Sequence, residues 1–174
     1  MQTAQFKYGK WLILPLLFIL ASCGFHLRNM LSVPVNLRQV YINAPASNAY
    51  NQFVQIFMPI ASVNHLTPVN SPQQAQAILE ITNITQSGPS LISMTGSGQA
   101  GQYALYYAIT FSIVDPKGKV LVPSTTMQQS RTFNSNASQI LSANSQVQQL
   151  NNDMQQTLAQ SIIMQLASVS NVNS

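Results

Sequence analysis

This chain has little charge to work with: its 174 residues include seven Lys or Arg, three Asp or Glu and two histidines. The three carboxylates are Glu80, Asp115 and Asp153. Asp115 belongs to a turn sequence and Asp153 sits among amides, so a pair flanking a glycosidic bond is not expected. There is a single cysteine, which rules out a disulfide within one chain. His65 is the one histidine far from that cysteine, so a metal triad is not expected either. No G-x-S-x-G elbow is present, and His65 reads as a surface residue of a protein that is not an enzyme. The glycines of residues 96–101 precede a strand, so no helix start stands ready to hold phosphate there. The cations are scattered and form no basic stripe, which sets nucleic acid aside.

What the chain does have begins at its first residues. Lys7 and Lys10 lead into the apolar run 11–20, which breaks at Leu20-Ala21-Ser22-Cys23. That order is a secretory signal over residues 1–22 ending in a lipobox. The run is about half of the ~20 residues a membrane-crossing helix needs, so cleavage is expected rather than a permanent span. Cys23 is then the first mature residue and accepts lipid on its thiol. A thioether diacylglycerol plus an N-acyl chain anchors stably, whereas one chain anchors reversibly. Gly24 stands where aspartate would hold many bacterial lipoproteins at the inner membrane. The expected location is the periplasmic leaflet of the outer membrane, with no cofactor beyond the covalent lipid on Cys23.

Without residues 1–22, Arg28, Arg38, Lys117, Lys119 and Arg131 face Glu80, Asp115 and Asp153, five against three, a net charge of +2. The surface must therefore be wetted by Asn, Gln, Ser and Thr. The length left supports one domain with a real core.

Residues 23–36 read as a lipidated tether, because Val33-Pro34-Val35-Asn36 resists helix formation. Residues 37–169 read as the domain and 170–174 as a polar tail. Alternation over residues 37–43 predicts a first strand. Asn48 is expected to cap a helix over 49–61 whose apolar face is Tyr50, Phe53, Val54, Phe57, Ile60 and Ala61, with Pro59 kinking or ending it. Residues 75–85 predict a second strand, 90–95 a short separate one, and 96–101 a loop. The cleanest pattern follows: Tyr103, Leu105, Tyr107, Ile109, Phe111 and Ile113 share one face of a long strand. Asp115-Pro116-Lys117-Gly118 has the residues of a type I turn, so 119–133 should return antiparallel. Pro123 then marks an edge or a bulge. Residues 137–169 predict a final helix with the stripe Ile140, Leu141, Val147, Leu150, Met154, Leu158, Ile162 and Leu166, and an amide-rich opposite face.

Cys23-Gly24-Phe25-His26-Leu27-Arg28 directly after a lipobox resembles the opening of the lipopolysaccharide-assembly lipoprotein family, LptE. The stretch from Tyr103 to Tyr107, Asp115-Pro116-Lys117-Gly118 and Arg131-Thr132-Phe133 resembles that family's long hairpin, and Leu141 to Leu166 its closing helix. The resemblance implies an α+β fold, a two-layer sandwich of two helices on a mostly antiparallel four-stranded sheet. It also implies a one-to-one complex with the outer-membrane β-barrel LptD, which the domain would plug, supporting barrel assembly and lipopolysaccharide transport to the cell surface. The alternative is a free-standing outer-membrane lipoprotein that binds another envelope component such as peptidoglycan. Basic residues that the family often carries before the long strand and at the last helix start are replaced here by Gly96 to Gly101 and Ala143-Asn144. That leaves Arg131 as the candidate contact for lipopolysaccharide at one end of the hairpin, and Lys117 and Lys119 at the other.

Overall fold

The long alternating segment builds the centre of the sheet. In the computed structural model, which describes residues 33–94, 96, 100–136 and 143–169, it forms β4, Ala100–Val114. All six residues expected on its inner face are buried. Burying each large side chain in such a row contributes roughly 1.5–3 kcal/mol. The signal segment, Cys23 and the tether up to residue 32 lie outside the described residues, as do 137–142 and 170–174.

β4 pairs antiparallel with β3, Ala77–Met94, on one side and β5, Val120–Asn136, on the other. The turn between β4 and β5 is held by Asp115. Its Oδ1 accepts the backbone N–H groups of Lys117 and Lys119, each at 2.8 Å, and its carbonyl accepts Gly118 N–H at 3.0 Å. Gly118 adopts φ +84°, which glycine takes without steric cost. Pro123 falls where β5 gains one residue: Ile113 pairs with Val122 and Phe111 with Thr125. β5 is also the edge of the sheet. Both expectations for Pro123 therefore hold, because a residue without N–H is tolerated in a bulge and at an edge.

The sheet differs from the expected four antiparallel strands. It has five, in the order β2-β1-β3-β4-β5, where β1 is Gln39–Asn43 and β2 is Thr67–Pro68. β1 runs parallel to both β2 and β3. A helix between two strands is the usual way to make them parallel, since the crossover returns the chain to the same end. β2 spans two residues, one of them proline, and leaves no periodic mark on the sequence. β3 also absorbs the segment read as a separate short strand. Its register shifts between Ser87 and Ser90, at Gly88-Pro89, and then pairing with β4 resumes. Gly88 has φ +101°, and a Cβ there would run into the Ala104 carbonyl oxygen, so the two strands close up only around a glycine.

Both helices lie on one face of the sheet. The first, α1, Asn48–Val63, buries Phe53, Phe57 and Ala61, with the two rings 6.1 Å apart. Ser47, not Asn48, occupies the N-cap, with extended backbone (φ −148°) and no side-chain capping bond. Pro59 does not end the helix, which continues to Val63.

The end of α1 explains His65. His65 has φ +60°, donates its N–H to Ser62 O at 3.1 Å, and is followed by Leu66 N–H donating to Ala61 O at 2.9 Å. These two bonds are the Schellman pattern, in which the left-handed position is usually glycine. Leu66 and Ala61, the residues closing the motif, are both buried. His65 is exposed, as expected for a surface residue, and it carries the conformational strain of the cap. His65→Gly should raise stability by about 1 kcal/mol, measured as a shift of the urea midpoint at constant slope.

The last helix, α2, runs Asn144–Ser168 and buries Met154, Leu158, Ile162 and Leu166 of the expected stripe. Its buried face is wider than that stripe, because Asn151, Gln155, Ala159, Ile163 and Ala167 are covered too. Two amides read as solvent-facing are thus in the core. Gln155 is fully buried and, among the described residues, neither its Oε1 nor its Nε2 finds a hydrogen-bond partner. Asn151 Oδ1 and Tyr107 Oη share that condition. Burial pushes the Tyr107 phenol up from its ordinary value, so it stays protonated. Gln155→Met keeps the volume and removes two unpaired polar atoms. It should stabilise the domain by about 1–2 kcal/mol, read from thermal melting.

Candidate functional site

The hairpin carries three of the candidate site residues and separates them. Lys117 and Lys119 occupy the exposed turn between β4 and β5. Arg131 lies twelve residues further along β5, roughly 40 Å away at the rise of an extended strand. The three cations do not converge on one ligand. Arg131 pairs in register with Leu105, so its side chain leaves the sheet on the face the helices cover, where it is half-buried. Its Nη1 donates to Gln129 Oε1 at 3.1 Å and to the Ser130 carbonyl at 3.0 Å. Cys23, the lipidation candidate, lies outside the described residues.

The carboxylates do not combine either. Glu80 accepts a hydrogen bond from Ser112 Oγ at 3.1 Å on the uncovered sheet face, Asp115 is held in the turn, and Asp153 is exposed on α2. Among the described residues, no three His, Cys, Asp or Glu side chains come together as metal ligands. A groove of 280 Å³ opens between the start of β5 and the end of α2, lined by Lys119, Leu121, Pro123, Gln165 and Val169 among others. It brings no second charged group to Lys119.

The sheet face turned away from the helices is an open lattice of amides and hydroxyls. Tyr106 Oη donates to Gln128 Oε1 at 2.8 Å, and the Thr110 and Thr126 hydroxyls share a hydrogen bond of 2.8 Å. Glu80 is the one charged residue of β1, β3 and β4. Such a face meets another polar surface by exchanging water hydrogen bonds for protein ones, without desolvating ions.

One feature of the distal end was not singled out in the sequence: Leu91, Ile92 and Met94, in the last stretch of β3, are exposed. Leu91 and Met94 pair with Tyr103 and Gly101, on the face that carries the helices, so they are exposed because the cover does not extend over them, and Ile92 falls at the register shift between Leu91 and Ser93.

Two helices on one side of a mixed five-stranded sheet, preceded by a lipobox and offering no grouped catalytic side chains among the described residues, define a small lipoprotein domain of the α+β class. The profile of the LptE family, lipopolysaccharide-assembly, matches residues 37–166. This chain belongs to that family. It is 22% identical over 153 residues to the LPS-assembly lipoprotein LptE of Photorhabdus laumondii, covering 88% of this chain and 81% of the relative. Its fold is shared with an uncharacterized lipoprotein B of Nitrosomonas europaea, at TM-score 0.66 and 22% identity over 85% of this chain and 93% of that one. A minor lipoprotein of Acinetobacter baumannii shares it too, at TM-score 0.61 and 18% identity over 78% and 94%.

Proposed function

We propose that this lipopolysaccharide-assembly lipoprotein is anchored through lipid on Cys23 in the periplasmic leaflet of the outer membrane and seats one-to-one in the lumen of the β-barrel LptD. There it supports assembly of the barrel and passage of lipopolysaccharide to the surface, with no catalytic step of its own. The observation that carries this reading is the family match, which spans almost the whole folded domain, residues 37–166. The surface chemistry supports it. Barrel lumens are polar, and the open sheet face presents hydroxyls and amides with a single carboxylate, so seating it strands few unpaired charges. Arg131 at one end of the hairpin, with Lys117 and Lys119 at the other, would meet anionic groups of lipopolysaccharide during transit.

The test is affinity capture of the lipidated chain from detergent-solubilised outer membranes. One large β-barrel recovered in equimolar amount supports the reading, and capture free of any barrel refutes it.

A further inference from the structure

Three cations that are scattered along the sequence meet at one end of the fold. Ile78, Val114 and Val120 form a row across β3, β4 and β5, so β3 and β5 begin where β4 ends. β1 and β2 begin there too, since Val40 pairs with Ala77 and Gln39 with Thr67. This end therefore carries Arg38, just before β1, and Lys117 and Lys119, in the turn between β4 and β5. Two strand spacings, about 10 Å, separate β1 from β4. Both lysines are exposed. The carboxylate in the same turn, Asp115, spends its Oδ1 on the backbone N–H groups of Lys117 and Lys119. Three cations and one carboxylate give this end a formal charge of +2, whereas Arg131, Glu80 and Asp153 give the rest of the described domain −1.

Exposed valines accompany the charge. Val35 stands in the helical turn that leads into β1, Val63 closes α1 shortly before β2, and Val120 opens β5; they are 70%, 66% and 57% exposed. The chain also enters the domain here, through buried Val33, whose carbonyl accepts Arg38 Nε at 3.3 Å. Cys23 precedes Val33 by ten residues, and Arg28 lies among them. Ten residues reach at most about 35 Å when fully extended. A leaflet holding lipid on Cys23 is thus never farther than that from Val33.

We infer that the lipidated chain, before any partner covers it, rests this end on the anionic phospholipid headgroups of the leaflet that holds its anchor. Arg38, Lys117 and Lys119 meet the phosphates, and Val35, Val63 and Val120 enter the interfacial layer beside them. The inference rests on lipid anchoring at Cys23 and is independent of the barrel. Charge complementarity and the short tether select the occupant: a lysine near an anionic leaflet favours contact by about fivefold, and the anchor keeps that leaflet within reach. A few such contacts are too weak to recruit a protein from solution. They are enough to orient one that is already tethered. Lipopolysaccharide offers the same phosphate chemistry, and the experiment separates the two sources.

Trp11 is the one tryptophan and lies in the signal segment, so a tryptophan placed in the mature lipidated chain reports alone. Val120→Trp marks the charged end and Ile92→Trp the opposite one, roughly 45 Å away along β3. Each chain is reconstituted in phosphatidylcholine vesicles, with or without phosphatidylglycerol, whose lipids are brominated near the headgroup end of their acyl chains. Val120→Trp should be quenched in the anionic vesicles and much less in the neutral ones, while Ile92→Trp should be quenched in neither. Adding Lys117→Gln and Lys119→Gln to Val120→Trp should lower quenching in anionic vesicles to the neutral level, with unchanged melting showing that the chain is folded. The inference falls if Ile92→Trp is quenched as strongly as Val120→Trp, or if removing both lysines changes nothing. Stronger quenching of Val120→Trp by vesicles containing lipopolysaccharide of equal charge would overturn it in favour of the transported lipid. Mass spectrometry of the same samples separates the two readings: no quenching with acylated Cys23 sinks the inference alone, and an unacylated Cys23 sinks the anchor with it.

Discussion

Phe111→Asp should leave no folded domain at room temperature. Phe111 is wholly buried on the inner face of β4 and belongs to the same core as the buried residues of both helices. Removing the ring costs about 3–5 kcal/mol in lost burial and cavity formation. A carboxylate in its place adds several kcal/mol more, because no cation reaches that part of the core. The sum matches or exceeds the roughly 5–15 kcal/mol by which domains of this size are stable. Circular dichroism should show no cooperative melt. Thr126→Asp, one strand over on the exposed face, should stay within about 1 kcal/mol of the parent. If Phe111→Asp melted like the parent, the assignment of the inner face of β4 would be wrong.

The second large effect concerns location. Cys23→Ala removes the thiol that would carry diacylglycerol, and with it several dozen methylenes worth about 0.8 kcal/mol each in a bilayer. Nothing else in the described domain can replace that anchor as a helical span, since none of its helices is long and apolar enough to cross a membrane. The expected result is an unacylated, mislocalised precursor retaining residues 1–22. Acyl-chain mass spectrometry and envelope fractionation check it. Recovery of Cys23→Ala in the outer membrane at the parent's level would refute the anchoring role of Cys23.

These two predictions use the parts of the chain that read most directly. A strand with one face covered must alternate with period two, so Tyr103 to Ile113 showed both its conformation and its buried side. The turn at Asp115 to Gly118 and the bulge at Pro123 followed from residues with few conformational options. The candidate site was legible only as separate pieces. Arg131, Lys117 and Lys119 were identifiable as the cations of the hairpin, but the exposure of Leu91, Ile92 and Met94 depends on how far along the sheet the helices extend.

Other features depended on partners distant in sequence. Parallel pairing of β1 with β2 and β3 has no local signature, and β2 is too short to show a period. The continuity of β3 past Gly88-Pro89 is imposed by its ladder to β4, against the tendency of that dipeptide to break a strand. Gln155 and Asn151 read as solvent-facing because amides usually are. They became core because α2 settles broadly across β4 and β5 and against α1, covering a wider face than its apolar stripe.

Composition and local periodicity by themselves determined a charge-poor chain with a lipidation signal, an amphipathic first helix, a long hairpin with a known inner face and a closing helix. Those properties depend on side-chain chemistry within one or two turns or strand repeats. Tertiary structure alone decided the five-stranded mixed order, the burial of unpaired amides beneath α2, the strained cap at His65 and the exposure of Leu91, Ile92 and Met94 where the helical cover ends. Each of these arises from which segments, remote along the chain, compete to cover the same apolar surface.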